Sequence, residues 1–236
     1  MNTAYLPPCC SPLKSHWPLP HSLPALQLIS TTFNPELLDA ADFSRCAVAP
    51  VRGVAKRQAE YLAGRLCARE ALMRLTGAAT VPACGEDRAP QWPLGVVGSI
   101  THGSGWAGAV VGNSADWRGL GLDIEQLIPA SRAERLAAEI LTPAELFRLE
   151  NLSAEQRAQR ISLTFSLKES LFKALYPQVL QHFYFQDAEL LSVEADNKVC
   201  MRLLIDLHGD WPAGSELEGQ FAEFDGYLLS LVSIPS

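Results

Sequence analysis

The sequence predicts an α+β fold built from long helices and antiparallel strands. Three observations predict this class. Apolar residues between positions 53 and 76 recur at intervals of three and four, as in an amphipathic helix, and Gly77 follows as its end. Two apolar stretches, 96–102 and 106–111, flank a glycine-containing turn typical of a hairpin. Further alternating stretches typical of antiparallel strands occupy residues 189–193, 199–207 and 227–232.

Composition limits the possible functions. The chain has 236 residues, 48% of them hydrophobic, which is enough to bury a core and excludes a wholly disordered protein. A net charge of -7 argues against a general nucleic-acid binder. Residues 45–74 nevertheless contain seven Lys and Arg against two Glu, so this segment predicts a phosphate-rich ligand or an acidic partner.

The N-terminus and the cysteines indicate where the protein acts. Residues 1–24 form a Pro-rich lead-in whose prolines interrupt any apolar run of the signal-peptide kind. No run approaches the ~18 apolar residues of a membrane span. The six cysteines contain no C-x-x-C pair, which disfavours both a zinc site and a disulfide framework. We therefore expect a soluble cytoplasmic protein that binds neither membrane nor nucleic acid.

The next part of the chain, residues 25–116, is expected to form an N-terminal half. A short apolar strand begins at Leu26, and a helix follows from Asn34-Pro35. The amphipathic helix comes next, and Pro90 to Pro93 then interrupts the pattern before the hairpin.

Residues 117–236 are expected to form a C-terminal half. It begins with a strand over 119–125 and continues with a helix over 131–140. Thr142 caps a following helix that has Pro143 at its first position. A helix over 166–176 is expected to stop before Pro177, and the strand set described above completes this half.

Three carboxylates and a lysine in the C-terminal half have the spacing of a metal-phosphate site. Side chains in a strand alternate between faces, so Asp123 and Glu125 point the same way, roughly 6.5 to 7 Å apart, while Ile124 points into the core. Residues four apart share a helix face, so Glu169 and Lys173 lie side by side. Hard oxygen ligands of this kind suit Mg²⁺ that retains waters and binds phosphates.

Each of these motifs also has a purely structural interpretation. Asp123 and Glu125 can be exposed carboxylates on an edge strand, and Ser166-x-x-Glu169 is a capping-box pattern in which Glu169 only satisfies a backbone N–H. Lys168 and Lys173 can belong to a solvated helix face, and His102 to a turn. The basic segment can likewise be charge-balanced surface, since Arg57, Arg65 and Arg69 lie near one helix face.

The order of these motifs resembles that of the 4′-phosphopantetheinyl transferase superfamily, in particular the enterobactin-synthase component D type within the surfactin-synthetase-activator class. The resemblance covers roughly residues 52–176. Its six blocks lie at residues 56–65, 85–93, 98–102, 121–125, 141–145 and 165–174.

The resemblance implies a fold of two similar α+β halves related by a pseudo-twofold, each a small antiparallel sheet with a packed long helix. Coenzyme A is then the co-substrate, bound in the cleft between the halves, with nucleotide contacts from the N-terminal half and the Mg²⁺-binding catalytic motifs in the C-terminal half. The reaction it implies transfers the 4′-phosphopantetheine arm to a serine of an apo acyl or peptidyl carrier protein and releases adenosine 3′,5′-bisphosphate.

The resemblance also assigns roles to individual residues of this chain. It implies that Asp123, Glu125 and Glu169 hold Mg²⁺ against the coenzyme A pyrophosphate, and that Glu169 or a metal-bound water beside it accepts the serine proton. Lys173 is implied to contact the pyrophosphate, and Glu145 matches an acidic position near the metal. Coenzyme A contacts are implied for the remaining motif residues and their basic neighbours, namely Arg52, Lys56, Arg57, Arg65, Arg88, Thr101 and His102.

Two other functions use the same residues. A Mg²⁺-dependent phosphohydrolase would use the same carboxylates with water as nucleophile and without a carrier protein. The second alternative is a catalytically inactive coenzyme A-binding or scaffold module, which has no need to keep all four of these residues. The carboxylate trio with Lys173 counts against the inactive module. Which carriers are served, in fatty-acid, siderophore or polyketide synthesis, stays open, as does the residue that holds the 3′-phosphate. Two fused halves make a monomer sufficient for one site.

Overall fold

The computed structural model describes residues 5–236 of the chain. The chain divides into two compact units. The N-terminal unit contains the chain up to Trp17 together with Leu23–Asp116, and the C-terminal unit contains Pro18–Ser22 together with Trp117–Ser236. Each unit consists of an antiparallel sheet with a long helix packed on it, so the predicted α+β class is confirmed. None of the helices within residues 5–236 is long and apolar enough to cross a membrane.

The N-terminal unit is built around one long helix and a four-stranded antiparallel sheet in the order β1-β2-β6-β5. A separate two-stranded ribbon pairs β3 with β4. The elements of this unit are β1 (Lys14–Ser15), β2 (Gln27–Thr32), α1 (Ala41–Arg45), α2 (Ala55–Thr76), β3 (Ala83–Cys84), β4 (Pro90–Gln91), β5 (Val96–Gly103) and β6 (Trp106–Asn113).

Helix α2 confirms the predicted amphipathic helix and its end. Gly77 caps it with a φ of +77°, a left-handed conformation that glycine adopts without steric cost. Leu62, Leu66 and Leu72 are fully buried against the sheet. Burying such side chains stabilises each by about 1.5–3 kcal/mol relative to exposure, so packing rather than intrinsic propensity fixes the helix on the sheet.

Residues 5–17 of the Pro-rich lead-in belong to the N-terminal unit and contribute to its core. Cys9 and Cys10 are buried in the hydrophobic cluster that includes the apolar side chains of α2. The backbone of Cys10 pairs with that of Phe33 in an isolated antiparallel β-bridge. Strand β1 extends the sheet by pairing with β2. The first four residues of the predicted lead-in lie outside the described part of the chain.

The C-terminal unit carries a five-stranded antiparallel sheet in the order β7-β11-β10-β9-β8. Its longest helix packs on β7 and β11. The elements of this unit are β7 (Trp117–Gln126), α3 (Ala130–Ile140), α4 (Pro143–Phe147), α5 (Ala154–Val179), β8 (Ala188–Val193), β9 (Lys198–Leu203), β10 (Glu216–Phe224) and β11 (Tyr227–Pro235).

Helix α5 approaches the backbone of β7 very closely. A Cβ on Gly121 would lie 1.7 Å from the carbonyl oxygen of Ser170, so only glycine is tolerated there. This contact brings the middle of α5 directly beside Asp123, two residues further along the strand.

The predicted limits of α5 are wrong at both ends. The helix starts at Ala154, where Ser153 and Gln156 form the capping box, so Ser166 lies in the helix interior and the capping-box interpretation of Ser166-x-x-Glu169 fails. Pro177 lies inside the helix, which continues to Val179. The proline lacks an N–H and so removes one helical hydrogen bond near the end of α5, and Val179 beyond it is buried in the core. The prediction of Thr142 as a cap with Pro143 following is confirmed.

The sequence-based strand set lacked β10. This strand pairs with both β9 and β11 and is therefore central to the sheet. Its alternation is interrupted where Gly219 and Gln220 are both buried, and the glutamates at its start are of a residue type depleted in strands. The predicted strand over 199–207 ends at Leu203.

Candidate functional site

Strand β7 places two carboxylates on one face, as predicted. Ile124 is fully buried, Asp123 is buried and Glu125 is half-buried. Asp123 pairs directly with Ser230 of β11, and Glu125 with Leu228. Strand β7 lies at the edge of its sheet, but Asp123 itself is buried where α5 packs on the strand, which excludes the interpretation of this residue as an exposed carboxylate.

Asp123 is held by contacts to both of its carboxylate oxygens. Lys173 Nζ donates to Oδ1 at 2.6 Å and to the backbone oxygen of Leu122 at 3.1 Å. The hydroxyl of Ser166 donates to Oδ2 at 2.9 Å. Lys173 therefore does not belong to a solvated face, and it neutralises part of the charge that the carboxylates concentrate here.

Burial and nearby negative charges raise the pKa values of Glu125 and Glu169, and the charge of Asp123 acts on both. Burial, reinforced by the charge of Asp123, raises the pKa of Glu125 to about 7, while Lys173 and Arg132 oppose the shift. Burial also raises the pKa of Glu169, where Lys173 opposes and Asp123 adds to the effect. Half-buried carboxylates that repel each other are electrostatically unfavourable unless a bound cation compensates their charge.

The donor chemistry fits Mg²⁺. Within residues 5–236, no three His, Cys, Asp or Glu side chains are already gathered closely enough to hold a metal ion. Mg²⁺ retains several waters and is bound through one or two carboxylates plus substrate phosphates, so it does not need a closed protein cage. Asp123, Glu125 and Glu169 offer only oxygen ligands, and their mutual repulsion favours a cation. Their assignment as metal ligands stays a prediction.

Glu145 and Lys168 form a buried ion pair next to this site. Lys168 Nζ lies 2.7 Å from Glu145 Oε2, and both side chains are almost inaccessible. Burial lowers the pKa of Lys168, and Glu145 opposes that shift. The remaining hydrogen bonds are Lys168 Nζ to the backbone oxygens of Ile140 and Phe185, and the backbone N–H groups of Thr142 and Leu190 to the Glu145 carboxylate.

The full set of partners around Glu145 gives it a structural role. Its carboxylate connects the start of α4, helix α5 and strand β8. The resemblance had implied a position near the metal, but its hydrogen bonds go to the buried lysine and to backbone groups.

An aromatic cavity of about 230 Å³ opens beside Glu169. Phe172 stacks on Tyr176, with ring centroids 5.1 Å apart, and contacts Phe183. The cavity is lined by Lys168, Glu169, Phe172, His182, Phe183, Tyr184, Phe185 and Ala188. One face of Glu169 therefore meets an apolar space, which single-sequence reasoning did not identify.

In the N-terminal unit, predicted basic residues line one cavity of about 430 Å³. Arg52, Arg57, Arg65, Arg88 and His102 all contribute to its wall. Arg88 adopts a φ of +69°, uncommon for a residue other than glycine, in the turn between β3 and β4. The turn thus carries local strain at a residue that faces the cavity.

Two of these cavity residues are oriented by Glu60, a buried carboxylate on α2. Arg57 Nη1 donates to His102 Nε2 at 2.8 Å, so the proton of a neutral imidazole lies on Nδ1. Nδ1 faces Glu60 Oε2 at 3.6 Å. Glu60 lies within the first of the six motif blocks, residues 56–65, but was not predicted as a site residue.

Arg65 is the strongest sign of an anion site in this cavity. Its guanidinium stacks over the ring of Tyr61, with Cζ 4.9 Å from the centroid. Nη1 is buried and has no hydrogen-bond partner among the described residues. An unsatisfied buried donor costs free energy, which a bound phosphate oxygen would recover.

Two predicted coenzyme A contacts lie elsewhere. Thr101 is buried and, by strand alternation, faces away from His102, which lines the cavity. Lys56 is exposed at the start of α2 and is not among the residues of the cavity wall.

Sequence reasoning also missed the serines behind Asp123. Ser166, Glu169, Ser170 and Lys173 are three and four residues apart, so their shared helix face was visible in the sequence. Ser230 had no such signal, because its pairing with Asp123 depends on the register of two strands far apart in the chain.

Comparison with known proteins gives matches over most of the chain. Residues 47–112 match the family described as 4′-phosphopantetheinyl transferase N-terminal domain, and residues 119–232 match the 4′-phosphopantetheinyl transferase superfamily. The 4′-phosphopantetheinyl transferase Svp of Streptomyces mobaraensis is 37% identical over 188 residues, which cover 78% of this chain and 74% of that protein.

One further relative and one solved structure are also similar to parts of the chain. Enterobactin synthase component D of Escherichia coli O157:H7 is 44% identical over 137 residues, covering 58% of this chain and 63% of that protein, which is less than two thirds of its length. A crystal structure of a holo-(acyl-carrier-protein) synthase from Bacillus anthracis in complex with CoA covers 52% of this chain and 99% of that chain, at 17% identity. Its TM-score of 0.36 is too low to support a structural inference.

Proposed function

The chain belongs to the 4′-phosphopantetheinyl transferase superfamily and is an enzyme of that class, and we propose that it modifies apo carrier proteins with Mg²⁺ as cofactor. In the proposed reaction a carrier serine oxygen attacks the β-phosphorus of coenzyme A. A new P–O bond forms to the serine, and the bond between the β-phosphorus and the bridging oxygen breaks. Adenosine 3′,5′-bisphosphate leaves with that oxygen.

The observation that carries this proposal is the contact of Lys173 with Asp123 beside Glu125 and Glu169. Mg²⁺ held by these carboxylates would supply positive charge to the pyrophosphate oxygens. Lys173 would stabilise the charge that develops on the leaving group, a preorganised interaction of the kind that usually contributes about 3–4 kcal/mol.

Glu169 is the proposed acceptor of the serine proton. It is half-buried, lies one helical turn from Lys173 and lines the aromatic cavity. A serine hydroxyl is a weak nucleophile at neutral pH, so a positioned carboxylate that removes its proton accelerates the attack.

The two cavities support binding of different parts of coenzyme A. In the N-terminal unit, the unpaired Nη1 of Arg65 and the neighbouring arginines support binding of the nucleotide phosphates. In the C-terminal unit, the aromatic side chains around Phe172 support binding of the weakly polar pantetheine arm next to the reacting phosphorus. The cysteine pattern supports action in a cytoplasm, and we propose a monomeric enzyme there.

The experiment that tests this proposal combines the protein with coenzyme A, Mg²⁺ and a panel of apo carriers from fatty-acid, siderophore and polyketide synthesis. Intact-mass spectrometry identifies carriers that gain the arm, and chromatography measures adenosine 3′,5′-bisphosphate. We expect equal amounts of both products and none after chelation of Mg²⁺. Cleavage of coenzyme A without any carrier would instead indicate a phosphohydrolase, and binding without turnover would indicate an inactive module.

A further inference from the structure

Three buried serines form a hydrogen-bonded chain behind Asp123. Ser166 and Ser170 belong to α5 and Ser230 to β11, and none of the three is accessible to solvent. Ser166 Oγ lies 2.9 Å from Asp123 Oδ2 and 2.7 Å from Ser230 Oγ. Ser230 Oγ in turn lies 2.8 Å from Ser170 Oγ. We call these three side chains the serine relay.

The direction of every proton in the relay follows from donor counting. A serine hydroxyl carries one proton, and an ionised carboxylate can only accept. The Ser166 hydroxyl must therefore donate its hydrogen bond to Asp123 and accept one from Ser230. Ser230 then has no proton left for Ser170, so Ser170 is the donor between them and shares its proton with the backbone oxygen of Ser230 at 3.1 Å.

All donors in the relay thus point toward the Asp123 carboxylate. Hydrogen bonds aligned in one direction polarise and strengthen one another in a buried environment. The carboxylate cannot rotate without losing either Ser166 at Oδ2 or Lys173 at Oδ1. Each oxygen still keeps a lone pair for another ligand.

We propose that the serine relay is a positioning device that orients Asp123 for a divalent cation, an inference that rests on the proposed function. Ser166 acts directly on the carboxylate, and Ser230 acts only through Ser166. Two features of the fold bring the serines close to Asp123. Ser230 pairs with Asp123 across β11 and β7, and Gly121 allows α5 to approach strand β7. Partners behind a metal ligand commonly change metal affinity about 10- to 100-fold when removed.

The test measures Mn²⁺ binding by electron paramagnetic resonance in the presence of coenzyme A. The variants are Ser166→Ala, Ser230→Ala and the double variant, all with folding checked by circular dichroism. Ser162→Ala is the matched control, because Ser162 is also a fully buried serine of α5 but bonds to Ala158 and Ile128. Ser166→Cys keeps a weaker donor and is the second variant at that position.

We expect Ser166→Ala to weaken Mn²⁺ binding about 10-fold, Ser230→Ala by a smaller factor, and Ser162→Ala to leave it unchanged. Because Ser230 acts through Ser166, the double variant should bind like Ser166→Ala. Ser166→Cys should lie between wild type and Ser166→Ala.

Unchanged affinity in Ser166→Ala, or independent losses that multiply in the double variant, would overturn the relay. Carrier modification by the unaltered protein is measured in parallel. Its absence would overturn the proposed function without altering the Mn²⁺ result, so the two failures are distinguishable.

Discussion

Lys168 and Glu145 form an ion pair of 2.7 Å that is buried between α5 and the start of α4. Lys168 is the neighbour of Glu169, so the pair fixes the helix where the proposed base emerges. Removing one partner leaves a buried charge without compensation, which usually costs about 3–5 kcal/mol.

We therefore expect Glu145→Ala to lower the free energy of unfolding by about 3–5 kcal/mol in urea denaturation. Glu150→Ala is the control, because Glu150 is exposed in the same region. A loss below about 1 kcal/mol, the range of an exposed pair, would show that Glu145 is not a structural anchor.

Lys173 is expected to act on the reaction more than on binding. Its ammonium group contacts Asp123, one of the proposed metal ligands. Lys173→Met should reduce kcat about 10²- to 10³-fold while changing the dissociation constant of coenzyme A much less. Steady-state kinetics and calorimetric binding separate the two effects. A change in affinity alone would assign Lys173 a role in binding.

Replacing Arg65 should weaken coenzyme A binding without lowering the stability of the free protein. Its Nη1 is buried without a partner, so the free protein bears the cost of an unsatisfied donor. Arg65→Met should weaken coenzyme A binding about 10- to 100-fold, the value of a charged hydrogen bond, while the melting temperature stays equal or rises. Arg74→Met, on the exposed end of α2, controls for loss of charge. Unchanged coenzyme A binding would contradict the anion site.

A variant of Phe172 tests whether the aromatic cavity binds the pantetheine arm of coenzyme A rather than its nucleotide. It lines the aromatic cavity beside Glu169. Phe172→Ala should weaken coenzyme A binding about fivefold, or about 1 kcal/mol, and leave adenosine 3′,5′-bisphosphate binding unchanged because that ligand lacks the arm. Phe147→Ala, an exposed aromatic of α4 outside the cavity, is the control. Equal losses for both ligands would indicate that the cavity does not hold the arm.

Local patterns in the sequence predicted the positions of Asp123 and Glu125, because strand alternation alone fixes which side chains share a face. The same kind of reasoning failed for α5. Ser153 with Gln156 and Ser166 with Glu169 both have the capping-box pattern, and the strong helix formers after Ser153 decide in favour of the first. Because Ser166 does not cap the helix, its hydroxyl donates a hydrogen bond to Asp123 instead.

Contacts between distant segments could not be predicted in this way. The pairing of Asp123 with Ser230 depends on how β7 aligns with β11, and the orphaned nitrogen of Arg65 depends on how α2 packs against its surroundings. Such features are properties of tertiary packing, and no single stretch of sequence encodes them.

The most direct test of the account is the rate of holo-carrier formation by wild type, Asp123→Ala and Glu169→Gln, followed by intact-mass spectrometry at saturating coenzyme A and Mg²⁺. Circular dichroism establishes that all three are folded. We predict that wild type modifies at least one carrier and that each variant is slower by about 10² or more. Turnover close to wild type in both variants would contradict the assignment of this carboxylate site to the reaction.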